Sequence, residues 1–306
     1  MSHDHNGHGS NLQRVQIALL LTATFMIVEV IGGILSGSLA LLADAAHMLT
    51  DTMALGLAAF AFRVSSRPPD KRRSFGYQRL QIIAAFVNGL GLLALVGWIA
   101  VEAVQRFLDP PDVIGQTMLV VAAAGLVVNI VAFVVLHGGD QDNLNIRGAA
   151  LHVMGDLLGS VAAIIAAVVI LSTGWMPIDP LLSVVVAGLI LRSAWRLVKR
   201  SVHILLEGAP EWLDVDDMQD KIRRKVPVVA SIHHVHVWGL TQQDLMLTMH
   251  VVFAPCPDDM TGVVRDIKGV LKDEFGISHS TIEIETDACA DHGGDSAVES
   301  SPGTAR

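Results

Sequence analysis

Six apolar runs, at roughly 15–35, 39–62, 80–101, 114–136, 148–171 and 179–198, dominate the chain. Most reach the ~20 residues that a bilayer-spanning helix needs, so the fold class of this stretch is an α-helical membrane protein with a six-transmembrane-helix bundle. Composition agrees, with 52% of residues hydrophobic and 17% charged, against roughly 25% charged in a soluble domain. The sixth run is the least regular, because Arg192 and Arg196 enter its last turns; such side chains snorkel to the interface.

Lys and Arg in the connections set the orientation. Arg63, Arg67, Lys71, Arg72, Arg73 and Arg79 follow the second run, and Lys199 and Arg200 follow the sixth. The connections 36–38, 107–113 and 172–178 carry neither residue type. Both termini are therefore expected on the cytoplasmic side, with runs two and five antiparallel. Short connections and a small tail read as prokaryotic, which points to a bacterial inner membrane.

Charge divides the chain again. Residues 1–208 balance 13 acidic against 13 basic side chains, whereas 209–306 hold 17 acidic and 8 basic, the source of the whole net charge of −9. An acidic soluble part argues against nucleic acid as a partner. After Pro210 the pattern predicts helices over 214–225 and 259–275 and strands over 229–239, 245–254 and 280–286. This αββαβ order makes a C-terminal cytosolic α+β domain. The expected organisation is a histidine-containing tail (1–11), the membrane domain (12–208), the α+β domain (209–290) and a disordered Ser/Gly/Asp-rich tail (291–306). Cys256 and Cys289 form no C-x-x-C pair and read as reduced cytosolic thiols.

Against this apolar background, His47 and Asp51 interrupt run two, and His152 and Asp156 interrupt run five. A spacing of four puts each pair on one helix face. Ionisable groups at bilayer depth are costly and mark ion or proton paths. Two imidazoles and two carboxylates form a set that suits tetrahedral Zn2+. Ala45-Ala46-His47 also echoes Ala150-Leu151-His152, as if both helices did one job. Asp44 shares the face of His47 and Asp51; it is an accessory ligand, a gate, or, preferentially, an acceptor that orients a ligating histidine. Glu29, Asn88 and Asn129 read as helix–helix hydrogen-bonding groups. Gly33-x-x-x-Gly37 and Gly155-x-x-x-Gly159 allow close helix approach. Gly155 lies beside Asp156, so the metal-bearing helix is expected to pack tightly in the bundle, whereas the first pair reads equally as generic membrane-helix glycine. His3, His5 and His8 make a weak metal-holding tract or a plain solvated tail.

In the α+β domain, strand alternation puts His233 on the face of Val235 and Val237, with His234, His236 and Trp238 on the other. His250 follows on the second strand, and Glu283, Glu285 and Asp287 on and after the third. These residues make either a regulatory zinc site or an ordinary polar edge.

Taken together, the residues resemble the cation diffusion facilitator family of zinc transporters. The resemblance rests on Ala43-Asp44-Ala45-Ala46-His47-Met48-Leu49-Thr50-Asp51, Ser74-Phe75-Gly76-Tyr77-Gln78-Arg79, His152 with Asp156, and His233-x-x-His236-Val237-Trp238. It implies a metallochaperone-like (ferredoxin-like) cytosolic domain, a homodimer, and Zn2+ export, with some admission of Cd2+, driven by inward proton flow. It places the transport site on His47, Asp51, His152 and Asp156, and a regulatory zinc site on His233, His250 and Glu285, with Asp287 as a further candidate. One departure stands out: Arg73 and Tyr77 occupy positions where some members carry histidines of a third site, leaving only Asp70. A zinc hydrolase would need His-Glu-x-x-His and an open coordination position, and the sequence has no such motif. A channel or sensor differs from an antiporter in lacking gradient-driven accumulation.

Overall fold

The computed structural model describes residues 5–65, 67–137 and 144–285. Six long helices come first: α1 (His5–Ser36), α2 (Leu39–Ser65), α3 (Leu80–Leu108), α4 (Gly115–His137), α5 (Leu144–Thr173) and α6 (Ile178–Leu205). All six contain a stretch long and apolar enough to cross a membrane. Their outward faces carry large apolar side chains, among them Leu20, Ile34, Val120, Leu158 and Leu189, as a lipid-facing surface requires and a water-facing one does not. Several helices outrun their apolar cores: α1 starts at His5 and α6 continues to Leu205.

The chain divides into two compact units, the first holding most of the helical bundle and the second holding the described residues of 65–82 together with those from Arg200 onward. Within the first unit, α2 joins two packed clusters. Leu41 lies with Phe25, Met118, Ala163, Ala166 and Ala167 of α1, α4 and α5. Ala43 lies with Leu92, Ile99, Ala187 and Ala194 of α3 and α6. The small residues on α5 and α6 let backbones approach, the usual currency of packing in lipid.

The start of α2 is held from a distance. Its first N–H groups have no helical acceptor, and an apolar setting supplies no water to replace one. Asp179, fully buried in the first turn of α6, fills that role. Its carboxylate accepts from Ser38 Oγ at 2.6 Å, Leu39 N at 2.7 Å and Ala40 N at 3.2 Å. Ser38 Oγ in turn accepts from Leu41 N at 3.2 Å.

In the second unit, α7 (Val215–Lys225), β1 (Val229–Gly239), β2 (Leu245–Phe253), α8 (Met260–Phe275) and β3 (His279–Glu285) follow the αββαβ order. Asp214 and Asp259 cap α7 and α8, and Gly276 (φ 66°) closes α8 in the left-handed conformation. β1 pairs antiparallel with β2, and β3 pairs parallel with β2. A parallel neighbour needs a crossover, which α8 provides. The core is formed by Met218 and Ile222 of α7, Leu247, Met249 and Val251 of β2, and Ile267 and Leu271 of α8.

Candidate metal centres

Within the membrane helices, α2 carries Asp44, His47 and Asp51 on one face at spacings of three and four. His47 Nε2 stands 3.5 Å from Asp51 Oδ2, each side chain 23% exposed. On α5, Asp156 is buried. His152 lies one turn earlier on the same helix; its side chain falls outside the described residues, as do those of His5 and His8.

The register between α2 and α5 is pinned by a glycine. A Cβ at Gly159 would lie 3.1 Å from Asp44 Oδ1, so the Asp44 carboxyl rests on the α5 backbone. Both helices rise ~1.5 Å per residue. In an antiparallel pair, three residues forward on α2 and three back on α5 bring His47 level with Asp156. Four further residues bring Asp51 level with position 152. Among the described residues nothing lies within 4 Å of a Cβ built on Gly155. The close approach expected of the Gly155-x-x-x-Gly159 pair is made at Gly159, one turn on along the same face.

Glu29 of α1 is also buried, and its carboxyl reaches hydrogen-bonding distance of Asp44. Asn129 of α4 donates through Nδ2 to Ser160 Oγ of α5 at 3.3 Å. Both therefore bridge helices, while Glu29 Oε2 and Asn129 Oδ1 find no hydrogen-bond partner among the described residues. Asn88 makes no such bond among the described residues. Asp44 thus sits between Glu29 and α5, beside rather than within the His47–Asp51 pair.

In the second unit, β1 and β2 place His233 opposite His250, and β2 and β3 place His250 opposite Glu283. Glu285, buried, sits between two imidazoles: Oε1 is 2.9 Å from His250 Nδ1 and Oε2 is 3.0 Å from His233 Nε2. Glu283 Oε2 approaches His250 Nε2 at 3.5 Å. The surprise is His234. Strict alternation puts it on the opposite face, but the register slips between His233 and His236, and His234 adopts φ 49°. A bulge of this kind re-aims one side chain, and His is among the few non-glycine residues that tolerate positive φ. His234 therefore joins the cluster, its ring centroid 5.1 Å from that of His233 and 4.9 Å from that of His250. Ligand atoms of His233, His234 and His250 all lie within 4.8 Å of one another. Three imidazoles with an adjoining carboxylate form a donor set that fits Zn2+. His236 is exposed, away from this cluster. Asp287 lies outside the described residues.

Six membrane-spanning helices followed by a small α+β unit with a histidine cluster define a multi-pass integral membrane protein. The chain belongs to the cation efflux family of membrane transporters: residues 15–206 match the model of the cation efflux transmembrane domain, and 210–287 that of the cation efflux protein cytoplasmic domain. It is 51% identical to the zinc transporter ZitB of Pectobacterium atrosepticum over 95% of this chain and 91% of that protein. It is 42% identical to a cadmium, cobalt and zinc/H(+)-K(+) antiporter of Bacillus subtilis, over 99% of this chain and 96% of that one. Among solved structures, the metal-bound C-terminal domain of the CzcD transporter is 34% identical, covering 24% of this chain and 99% of that domain with a TM-score of 0.22.

Proposed function

We propose that the protein exports Zn2+ from the cytoplasm, with Cd2+ as a lesser substrate, in exchange for protons. The transport site is a tetrahedral set of His47, Asp51, His152 and Asp156. The observation that carries this reading is the Asp44–Gly159 contact, whose register levels one ligand pair with the other. The relatives named as a zinc transporter and as a metal/H+ antiporter support the substrate and the exchange. Zinc binds the neutral imidazole, so metal and protons compete for the same nitrogens, and that competition couples their fluxes. Rocking of the bundle then exposes the site to one side and the other in turn. Asp44 is assigned to positioning: held between Glu29 and the α5 backbone, it sets the height of α2 against α5. The protein functions as a homodimer in a bacterial inner membrane with both termini cytoplasmic, following the family resemblance and the distribution of Lys and Arg.

The direct test is Zn2+ uptake into proteoliposomes under an imposed pH gradient. Uptake that rises with the gradient and collapses with an ionophore is expected; uptake indifferent to the gradient identifies a channel and overturns the exchange.

The second metal centre, on His233, His234, His250 and Glu285, is assigned as a resident, regulatory Zn2+ site. Zinc there would cross-link β1, β2 and β3 through their side chains, while Glu285 orients two of the imidazoles. In a background lacking the membrane site, His234→Ala is expected to weaken Zn2+ binding on the order of 100-fold, and His236→Ala to leave it unchanged. Calorimetric titration of the full-length protein separates the two. Equal affinities would return His234 to the opposite strand face.

A further inference from the structure

A cavity of about 770 Å³ opens within the second unit, between the α2–α3 connection and β1. Its size falls in the range of small-molecule sites. Its charge runs against that of the protein: Arg72, Arg73 and Arg79 line it, with Glu207 as the sole carboxylate, in a chain of net charge −9. Glu207 is already engaged, accepting from Arg79 Nη2 at 2.9 Å.

The other arginines are presented by a folded loop. Asp70 accepts from the backbone N–H groups of Arg72 and Arg73, both at 2.8 Å, and from the Tyr77 hydroxyl at 3.0 Å. The same contacts, the Arg72 N–H foremost and then the Tyr77 hydroxyl, hold the Asp70 carboxyl below its usual range. Asp70 thus spends its short hydrogen bonds on shaping the turn, and its ion pair with Arg73 is long, Nη1 to Oδ2 3.9 Å. Arg73 lies 4.6 Å over the Tyr77 ring and donates to its hydroxyl at 3.1 Å. Arg72 has no side-chain partner among the described residues. Deeper in, Arg79 Nε and Gln78 Oε1 are buried without a hydrogen-bond partner there. An unpaired guanidinium N–H costs free energy that an oxyanion recovers. Trp238 and Leu240 supply an apolar wall.

We propose that this cavity binds a phosphate group, carried on the head group of an anionic phospholipid or free in solution. Planar guanidinium forks match phosphate oxygens in pairs. The connection that presents them joins two membrane-spanning helices in the chain, and anionic head groups concentrate where such connections leave a bilayer. A bound phosphate would tie the α2–α3 connection to β1, both within the second unit.

The test uses the full-length protein in neutral detergent, titrated with phosphatidylglycerol, phosphatidylcholine and inorganic phosphate, with the shift in thermal unfolding as readout. The half-saturating concentration of phosphatidylglycerol is expected to rise about tenfold in Arg72→Gln/Arg73→Gln. It is expected to fall several-fold in Glu207→Gln, which frees Arg79. Because the variants move affinity in opposite directions, loss of folding cannot imitate the pattern. A shift from phosphatidylglycerol alone assigns the lipid head group; the same variant dependence with inorganic phosphate assigns a soluble ligand. Half-saturation unchanged in both variants for both probes, or equal responses to phosphatidylcholine and phosphatidylglycerol with none to inorganic phosphate, overturns the proposal.

Discussion

Asp156→Ala is expected to bring gradient-driven Zn2+ uptake in proteoliposomes down by a factor on the order of 100 or more, effectively to background. Asp156 is buried on α5, and the Asp44–Gly159 register sets it level with His47. In the proposed site, removing it would take away a charged ligand and leave the two imidazoles with a single carboxylate. Two carboxylates neutralise the two charges of Zn2+; with one, the metal carries net charge into an apolar interior, which is costly. Asp51→Ala is expected to behave alike. An unchanged thermal-unfolding midpoint in detergent would show that both variants are folded. Uptake that survives both substitutions in folded protein would remove these residues from the transport path.

Asp179→Ala is the second large effect. Its carboxylate satisfies three donors at the head of α2, and alanine satisfies none. A lost cap costs ~0.5–2 kcal/mol, and hydrogen bonds to a charged acceptor are worth roughly 1.5–3 kcal/mol. The combined loss is on the order of 3 kcal/mol, enough to lower the thermal midpoint by roughly 5–10 °C. Since α2 carries Asp44, His47 and Asp51, transport is expected to fall with it. Asp179→Asn keeps an acceptor oxygen and should fall between the two. A midpoint unchanged in Asp179→Ala would mean that α2 is held by its packing alone.

Much of this architecture is legible without coordinates because it rests on local, periodic signals. The apolar runs have the length of a bilayer span, and a helix forms on each of them. In the α+β unit the expected boundaries differ from the observed elements by a residue at most, because Asp214, Asp259 and Gly276 mark helix ends through their own backbone chemistry. The i, i+4 spacing of His47 with Asp51 likewise depends only on helix geometry, and the 3.5 Å approach follows from it.

What the periodic signals miss involves residues far apart in sequence or a break in the period. His234 is one case: strand alternation is a rule of period two, and one bulge between β1 and β2 reverses it for a single side chain. Glycine spacing is another, since Gly155 and Gly159 look equivalent on one helix face until a neighbouring helix meets it at one height. Asp179 looks like a first-turn acid of its own helix and caps another instead, 140 residues away from Leu39. The sequence alone therefore determined the membrane class, the order of elements and the residue types able to hold a metal, because each depends on spacing along a single element. Only the tertiary structure decided the height of α2 against α5, the third histidine of the cytosolic cluster and the arginine-lined cavity, because each depends on which surfaces of distant segments meet.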